Sequence, residues 1–294
     1  MLSRRAFLFQ SGLTASVVAG SPRLLYAASP QLRSLAASMA TMEMTNGGRI
    51  GVAVLDTSTG ERAGYRADDR FPFCSTFKFL LASAVLQRVD QGSEQLNRQI
   101  PVPSKPLLGN SPLTEPHASG TMDVRSLCQA ALTRSDNTAA NLLLETLGGP
   151  EGLTSFARSI GDSVTRLDRW ETSLNESLPG DLRDTTSPTA MANNLNRILL
   201  GSVLQAGSRD LLTGWMELNA TGLERLRKDL PLGWRAADKT GSNGDHTSND
   251  IAVLWPVSRS PIILTAYITL CPGPESKRAE MLATIGRLVH GHPA

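Results

Sequence analysis

Strand-forming segments stand at the two ends of this sequence and a long helical stretch separates them, an order that few architectures accommodate. Near the start, RIGVAVLDTSTGERAGYR reads as two β-rich runs around a turn at Ser58, Thr59 and Gly60, the pattern of a hairpin. Near the end, DKTGSNG, SNDIAVLWP and SPIILTAYITL supply three further strands. Between them, from Ser75 to about Asp229, the apolar spacing is mostly helical, with helix starts expected at Thr121, Ser135 and Ser187-Pro188. Leu32, Leu35, Met39 and Met42 recur at helical spacing before Gly47 and Gly48. Met281, Leu282, Ile285, Leu288 and Val289 share one face of a last helix. Strands that must pair across such an insertion predict an α/β chain. A sheet domain is split between residues 29–70 and 217–294, and a mainly helical domain over 71–216 grows out of it.

The first 28 residues stand outside that plan. They open with Arg4 and Arg5, run through a mildly apolar stretch and end in small residues around Tyr26, Ala27 and Ala28. That order reads as an export signal, and the paired arginines before Ala6 and Phe7 resemble a twin-arginine signal. The stretch is short of the roughly 20 apolar residues that a membrane span needs; the alternative is a retained N-terminal anchor. Residues 1–28 carry three arginines and no acid, so their removal takes the formal net charge from +2 to −1. A near-neutral chain with four histidines and no long basic run has no electrostatic footprint for nucleic acid. Cys74, Cys128 and Cys271 are too few and too scattered for a disulfide framework, although one bridge remains open. Cys128 falls in a helical stripe with Val124, Leu127, Ala131 and Leu132, as a small buried hydrophobe would. The expectation is a monomer, exported to the periplasm or secreted, with no membrane contact once the signal is gone.

Chemistry enters at FPFCSTFKF, residues 71–79. From Thr76 to Val89 the residues Phe77, Phe79, Leu80, Leu81, Ala84, Val85, Leu86 and Val89 leave almost no polar face, so the helix is expected to be buried, Lys78 with it. Burial disfavours an ammonium and lowers its pKa unless acids or hydroxyls compensate, which makes a usable base. Ser75 lies three residues earlier, on the same face. It also sits where free backbone amides at a helix start can stabilise an oxyanion. The plainer alternative makes Ser75 a helix cap and lets the Lys78 tip find water.

Two further triplets follow in chain order. SDN, Ser135 to Asn137, lies at a helix start, and KTG, Lys239 to Gly241, lies in an expected strand. Two of the chain's five lysines, Lys78 of STFK and Lys239 of KTG, fall in this series of motifs. Together with RWETSLN, GDLRDTTSP and DKTGSNG, in this order and at these spacings, the sequence resembles the class A active-site serine β-lactamases, relatives of the penicillin-binding proteins. The resemblance covers essentially all of the chain after the signal. It implies a two-domain fold, an antiparallel sheet flanked by helices plus an all-helical domain, and hydrolysis of the β-lactam amide through an acyl-enzyme on Ser75. No cofactor is expected.

By the same resemblance, Lys78 and Glu171 share the proton traffic of acylation, with either as the base, and Glu171 with Asn175 holds the water that cleaves the ester. Ser135 relays a proton to the departing nitrogen, and Asn137 serves the substrate's side-chain amide and Lys78 with the two ends of its own amide. Lys239 brings positive charge near the substrate carboxylate and Thr240 a hydroxyl. Gly241 leaves room for a ligand along the strand edge, and Ser242 gives a second oxyanion amide beside that of Ser75. An ion pair between Arg169 and Asp184 is expected at the base of the Glu171 loop.

Three positions depart from the family pattern. Asn110 stands where an aromatic residue usually lines the mouth. Asn243 stands where some members pair a cysteine with the one before the nucleophile, so Cys74 has no such partner. Ser248 replaces an arginine late on the strand after KTG, and Arg225 resembles the arginine that other members use instead; its alternative is a solvated charge. Other chemistries fit poorly. A cysteine hydrolase at Cys74 would need a histidine with an orienting partner, and His117 and His246 sit in loops without one. His290 and His292, two apart at the tail, lack the spacing of a zinc site. A D-alanyl-D-alanine peptidase or transpeptidase would share Ser75, Lys78, Ser135 and Lys239. A non-catalytic β-lactam sensor would need signalling partners and a tether.

Overall fold

The computed structural model describes residues 30–291. The export-signal expectation on residues 1–28 and His292 lie outside the described residues. In chain order, α1 (Pro30–Asn46) leads into the hairpin of β1 (Arg49–Asp56) and β2 (Arg62–Tyr65), followed by β3 (Phe71–Pro72) and α2 (Phe77–Asp90). β4 (Gln99–Pro101) and β5 (Thr121–Asp123) precede α3 (Val124–Thr133), α4 (Asn137–Thr146) and α5 (Pro150–Ser159). After β6 (Thr185–Thr186) come α6 (Pro188–Leu195) and α7 (Ala206–Glu217). β7 (Arg235–Ser242), β8 (Ser248–Trp255), β9 (Ile262–Thr269) and α8 (Glu275–His290) close the chain.

The five long strands form one antiparallel sheet in the order β2-β1-β9-β8-β7, so β9, from the end of the sequence, pairs with β1 from its start. Alternation along these strands feeds two cores. Ala53, Leu55, Ile251, Val253, Ile263 and Tyr267 face the helices α2 to α7. Val52, Val54, Ala252, Leu254, Leu264 and Ile268 pack with Leu35 of α1 and Leu282 and Ile285 of α8. Helices on both faces explain why β8 and β9 read as nearly unbroken apolar runs. No helix among the described residues is long and apolar enough to cross a membrane.

Local start signals account for three of the inserted helices, α3, α4 and α6, with one correction. Thr121 does not open a helix: residues 121–123 pair with Gln99–Pro101, and the cap of α3 is Asp123, whose carboxylate accepts from the Ser126 amide. A strand of three residues has no period to read in the sequence. Ser187 caps α6 with Pro188 in its first turn, and Asp136 caps α4 by accepting from the Ala139 amide.

Candidate active site

α2 buries every residue from Phe77 to Leu86, Lys78 included. A single 3-10 turn, Cys74–Thr76, feeds into it, with Cys74 at φ 44°, a backbone region uncommon for a residue with a Cβ. Lys78 Nζ lies 3.0 Å from Ser75 Oγ. Also within reach are the Ser135 carbonyl at 2.8 Å, Ser135 Oγ at 3.3 Å, Asn137 Oδ1 at 2.6 Å and Glu171 Oε1 at 2.9 Å. Burial holds the Lys78 pKa below the ordinary lysine value, and the neighbouring Glu171 carboxylate offsets only part of that. An ammonium has three protons to give, fewer than these five acceptors, so at any moment two of the oxygens lack a proton of their own from Lys78. Ser75 can manage without the lysine, because its own hydroxyl can donate to Glu171 Oε1 at 3.3 Å.

Glu171 arrives from the opposite side, on a loop spanning residues 168–184. Arg169 Nε meets Asp184 Oδ2 at 2.5 Å, while Asp184 Oδ1 accepts from the amides of Asp168 at 2.8 Å and Arg169 at 3.0 Å. The Asp184 carboxylate is buried, so removing one member of this closure would cost about 3–5 kcal/mol. Asn141 of α4 grips the Glu171 backbone on both sides: its Nδ2 donates to the carbonyl at 3.0 Å and its Oδ1 accepts from the amide at 3.1 Å. Sequence reasoning did not single out Asn141; its spacing of four from Asn137 on one helix face is the signal that could have found it. The Glu171-Thr172 peptide is cis. Asn175 Nδ2 donates to Glu171 Oε2 at 2.7 Å, and the buried Asn175 Oδ1 accepts no hydrogen bond from the protein.

The third wall is β7, an edge strand of the sheet. Lys239 Nζ donates to Ser135 Oγ at 3.1 Å and to the Thr240 carbonyl at 2.8 Å. Burial holds the Lys239 pKa well below the ordinary lysine value, and the Lys78 ammonium pushes it the same way. Ser135 is at φ 55°. Beside it, Asp136 accepts from the Leu113 amide at 2.9 Å and the Thr114 amide at 3.0 Å, fastening the preceding loop. A Cβ on Gly241 would stand 2.7 Å from the Phe73 carbonyl oxygen and 3.1 Å from the Ser75 amide. Glycine is required there by the packing of the Ser75 turn on the strand, in addition to any need for ligand access. Thr240 Oγ1 bonds Thr221 Oγ1, and Ser242 Oγ donates to the Thr247 carbonyl at 3.1 Å. Ser75, Lys78, Ser135, Asn137, Glu171 and Lys239 thus share one hydrogen-bonded cluster, and Asn175 joins it through Glu171.

A model described as the β-lactamase enzyme family matches residues 34–292. A solved ancestral class A β-lactamase shares the fold at a TM-score of 0.85 and 56% identity, covering 87% of this chain and 98% of that one. The chain belongs to the class A serine β-lactamases. β-Lactamase L2 of Stenotrophomonas maltophilia is 46% identical over 98% of both chains. The carbapenem-hydrolyzing β-lactamase KPC of Klebsiella oxytoca is 46% identical over 86% of this chain and 87% of its own. A solved β-lactamase from Xanthomonas campestris has a TM-score of 0.87 at 47% identity, covering 89% of this chain and 98% of that one.

In this class A β-lactamase, Asn110 turns its amide inward. At φ 56°, its Nδ2 donates to the carbonyls of Ser135 at 2.9 Å and Arg134 at 3.3 Å. Cys74, Cys128 and Cys271 are free, buried thiols, and burial pushes the Cys74 thiol up to about 12, far from a nucleophile's range. Ser248 Oγ accepts from Arg278 Nε at 3.1 Å; this fully buried arginine of α8 also donates to the carbonyls of Cys271, Gly273 and Gly244. Arg225 is buried behind β7, with Nη1 on the carbonyls of Gly241 at 3.1 Å and Asn249 at 2.8 Å and Nη2 on Glu275 at 2.7 Å. Arg225→Ala is therefore expected to raise KM severalfold and to lower Tm as well, since two strand carbonyls lose their donor. Unchanged steady-state kinetics with a lowered Tm would leave Arg225 a purely structural residue.

Two carboxyls are buried beside this strand: Asp238 precedes Lys239 on β7, and Asp250 on β8 pairs with Thr240. Burial raises the Asp238 pKa to about 6 against the pull of Arg227, and burial together with Asp238 holds Asp250 well above the usual range. A carboxyl whose pKa is raised by folding keeps its proton in the native chain after the unfolded chain has lost it. Its stabilising contribution is complete below about pH 3.8 and falls as pH rises toward 6. Asp238→Asn should consequently gain Tm relative to wild type between pH 4 and 7, as thermal melts across that range would show; parallel curves would mean that folding leaves this carboxyl's titration unchanged.

Proposed function

We infer that this β-lactamase opens the lactam ring by attack of Ser75 Oγ on the amide carbonyl and then hydrolyses the Ser75 ester. The hydroxyl proton passes to Lys78 or Glu171, both within 3.3 Å of Oγ. The oxyanion is taken up by the amides of Ser75 and Ser242, and the ring nitrogen leaves with a proton relayed through Ser135, which touches both Lys78 and Lys239. Lys239 and Thr240 face the substrate carboxylate, with Arg225 adding charge from behind the strand. Asn137, whose Nδ2 now donates to the Gly109 carbonyl at 2.7 Å, serves the acyl side chain, and Asn110 borders the same mouth.

In the second half, Glu171 takes a proton from water as that water adds to the ester, and Ser75 Oγ leaves with a proton. The observation that carries this reading is the Glu171 carboxylate 3.3 Å from Ser75 Oγ, with Asn175 Oδ1 beside it as an acceptor unused by the protein. A peptidase or a sensor would hold the acyl group, so the test is nitrocefin turnover. Steady hydrolysis over many equivalents is expected, and a single stoichiometric burst would overturn it. One relative is named for carbapenem hydrolysis, so a carbapenem belongs in the panel with a penicillin and a cephalosporin. We also infer that the mature protein works as a monomer outside the cytoplasm, without nucleic acid, on the strength of the arginine-led N-terminus and the near-neutral remainder.

A further inference from the structure

The turn between β7 and β8 is anchored from several directions. Asn243 Oδ1 accepts from the amides of Asp245 at 3.1 Å, His246 at 3.1 Å and Thr247 at 3.0 Å, which fixes the side chain with Nδ2 as its free donor end. The His246 carbonyl accepts from the Cys271 amide at 3.1 Å, just past β9, and Arg278 of α8 donates to the Gly244 carbonyl at 3.1 Å. From this turn His246 Nε2 stands 3.3 Å from the Ser177 carbonyl and 3.4 Å from Asn243 Nδ2.

Those two contacts demand opposite states of one nitrogen. A carbonyl only accepts, so the Ser177 contact requires a proton on Nε2. The Asn243 amide nitrogen only donates, so its contact requires Nε2 without one. One state ties the turn to the loop of residues 168–184, and the other folds the ring back onto its own turn.

The far end of the tie is connected to the chemistry. Ser177 is buried, at φ 55°, and its Oγ donates to the Asn175 carbonyl at 3.2 Å. With its one proton so used, Ser177 Oγ accepts from the Cys74 thiol at 3.6 Å. Asn175 in turn holds Glu171 Oε2. No disulfide links the turn to the nucleophile's flank, since all three cysteines are free. We propose that His246 is a positioning residue: by donating Nε2–H to the Ser177 carbonyl it ties the β7–β8 turn to the loop that carries Glu171, and so sets that carboxylate for deacylation. The proposal rests on the reading of Glu171 given above.

The test compares His246→Leu, His246→Asn and His246→Gln in the full chain, by amide hydrogen exchange and by decay of the penicillin acyl-enzyme. Leucine cannot donate and asparagine is too short to reach Ser177, whereas glutamine can place an N–H near the Nε2 position. In the first two variants exchange across residues 172–181 should rise about tenfold, with α2 and β8 unchanged. Deacylation should slow about three- to tenfold with acylation nearly constant. Glutamine should restore both. Exchange that stays at the wild-type level, deacylation that does not slow, or glutamine behaving like leucine would each overturn the proposal. A stall of Glu171→Gln does not depend on His246, and the exchange result does not depend on Glu171, so the two readings fail separately.

Discussion

Ser75→Ala should reduce nitrocefin hydrolysis to background, a loss of at least about 10⁴-fold in kcat, because no other hydroxyl or thiol in the cluster can take over the attack. Ser135 Oγ is already engaged by both lysines, and the Cys74 thiol is buried with its pKa raised. The fold should survive. Lys78 keeps the Ser135 carbonyl, Asn137 and Glu171 as partners after the Ser75 hydroxyl is gone. The check is steady-state turnover beside a thermal melt of the same sample. A variant that keeps most of its rate at an unchanged Tm would move the nucleophile elsewhere.

Glu171→Gln is expected to acylate quickly and then stall, with deacylation slowed about 10²- to 10⁴-fold, the range for loss of a general base. The amide keeps an oxygen for Asn175 Nδ2, so the loop geometry should hold. What disappears is the charge. Lys78 loses the carboxylate that pushes its pKa up, while the burial that pulls it down remains, and the neutral amine becomes the more available base for Ser75. Intact-mass spectrometry after brief mixing with a penicillin should show a persistent adduct on Ser75. Undiminished turnover would remove Glu171 from deacylation, and an absence of adduct together with lost turnover would make Glu171 the base of acylation too.

Parts of this site were legible in the sequence and parts were not, for reasons that lie in the residues. The unrelieved apolar run from Phe77 to Leu86 made the burial of Lys78 readable, and a spacing of three put Ser75 over it. Nothing local marks Glu171 among 27 acids; only the string of motifs selected it. The helices with a Ser or Asp at the cap could be placed, whereas the two- and three-residue strands β3 to β6 could not, because pairing partners such as Phe71 and Thr186 lie far apart in sequence. The inward turn of the Asn110 amide, the grip of Asn141 on Glu171 and the buried fan of bonds around Arg278 are likewise long-range. Each depends on carbonyls that come from elsewhere in the chain, and a carbonyl has no identity in a sequence.

The sheet's middle strand is made last. Residues 262–269 bridge β1 and β8, so during synthesis the hairpin that emerges first waits for nearly the whole polypeptide before its inner edge is covered. Contacts of such high sequence separation fold slowly and leave sticky edges uncovered meanwhile. A ribosome that stops short of Ile262 releases a product with no route to the native sheet, which makes the gene's final stretch a checkpoint on the integrity of everything translated before it.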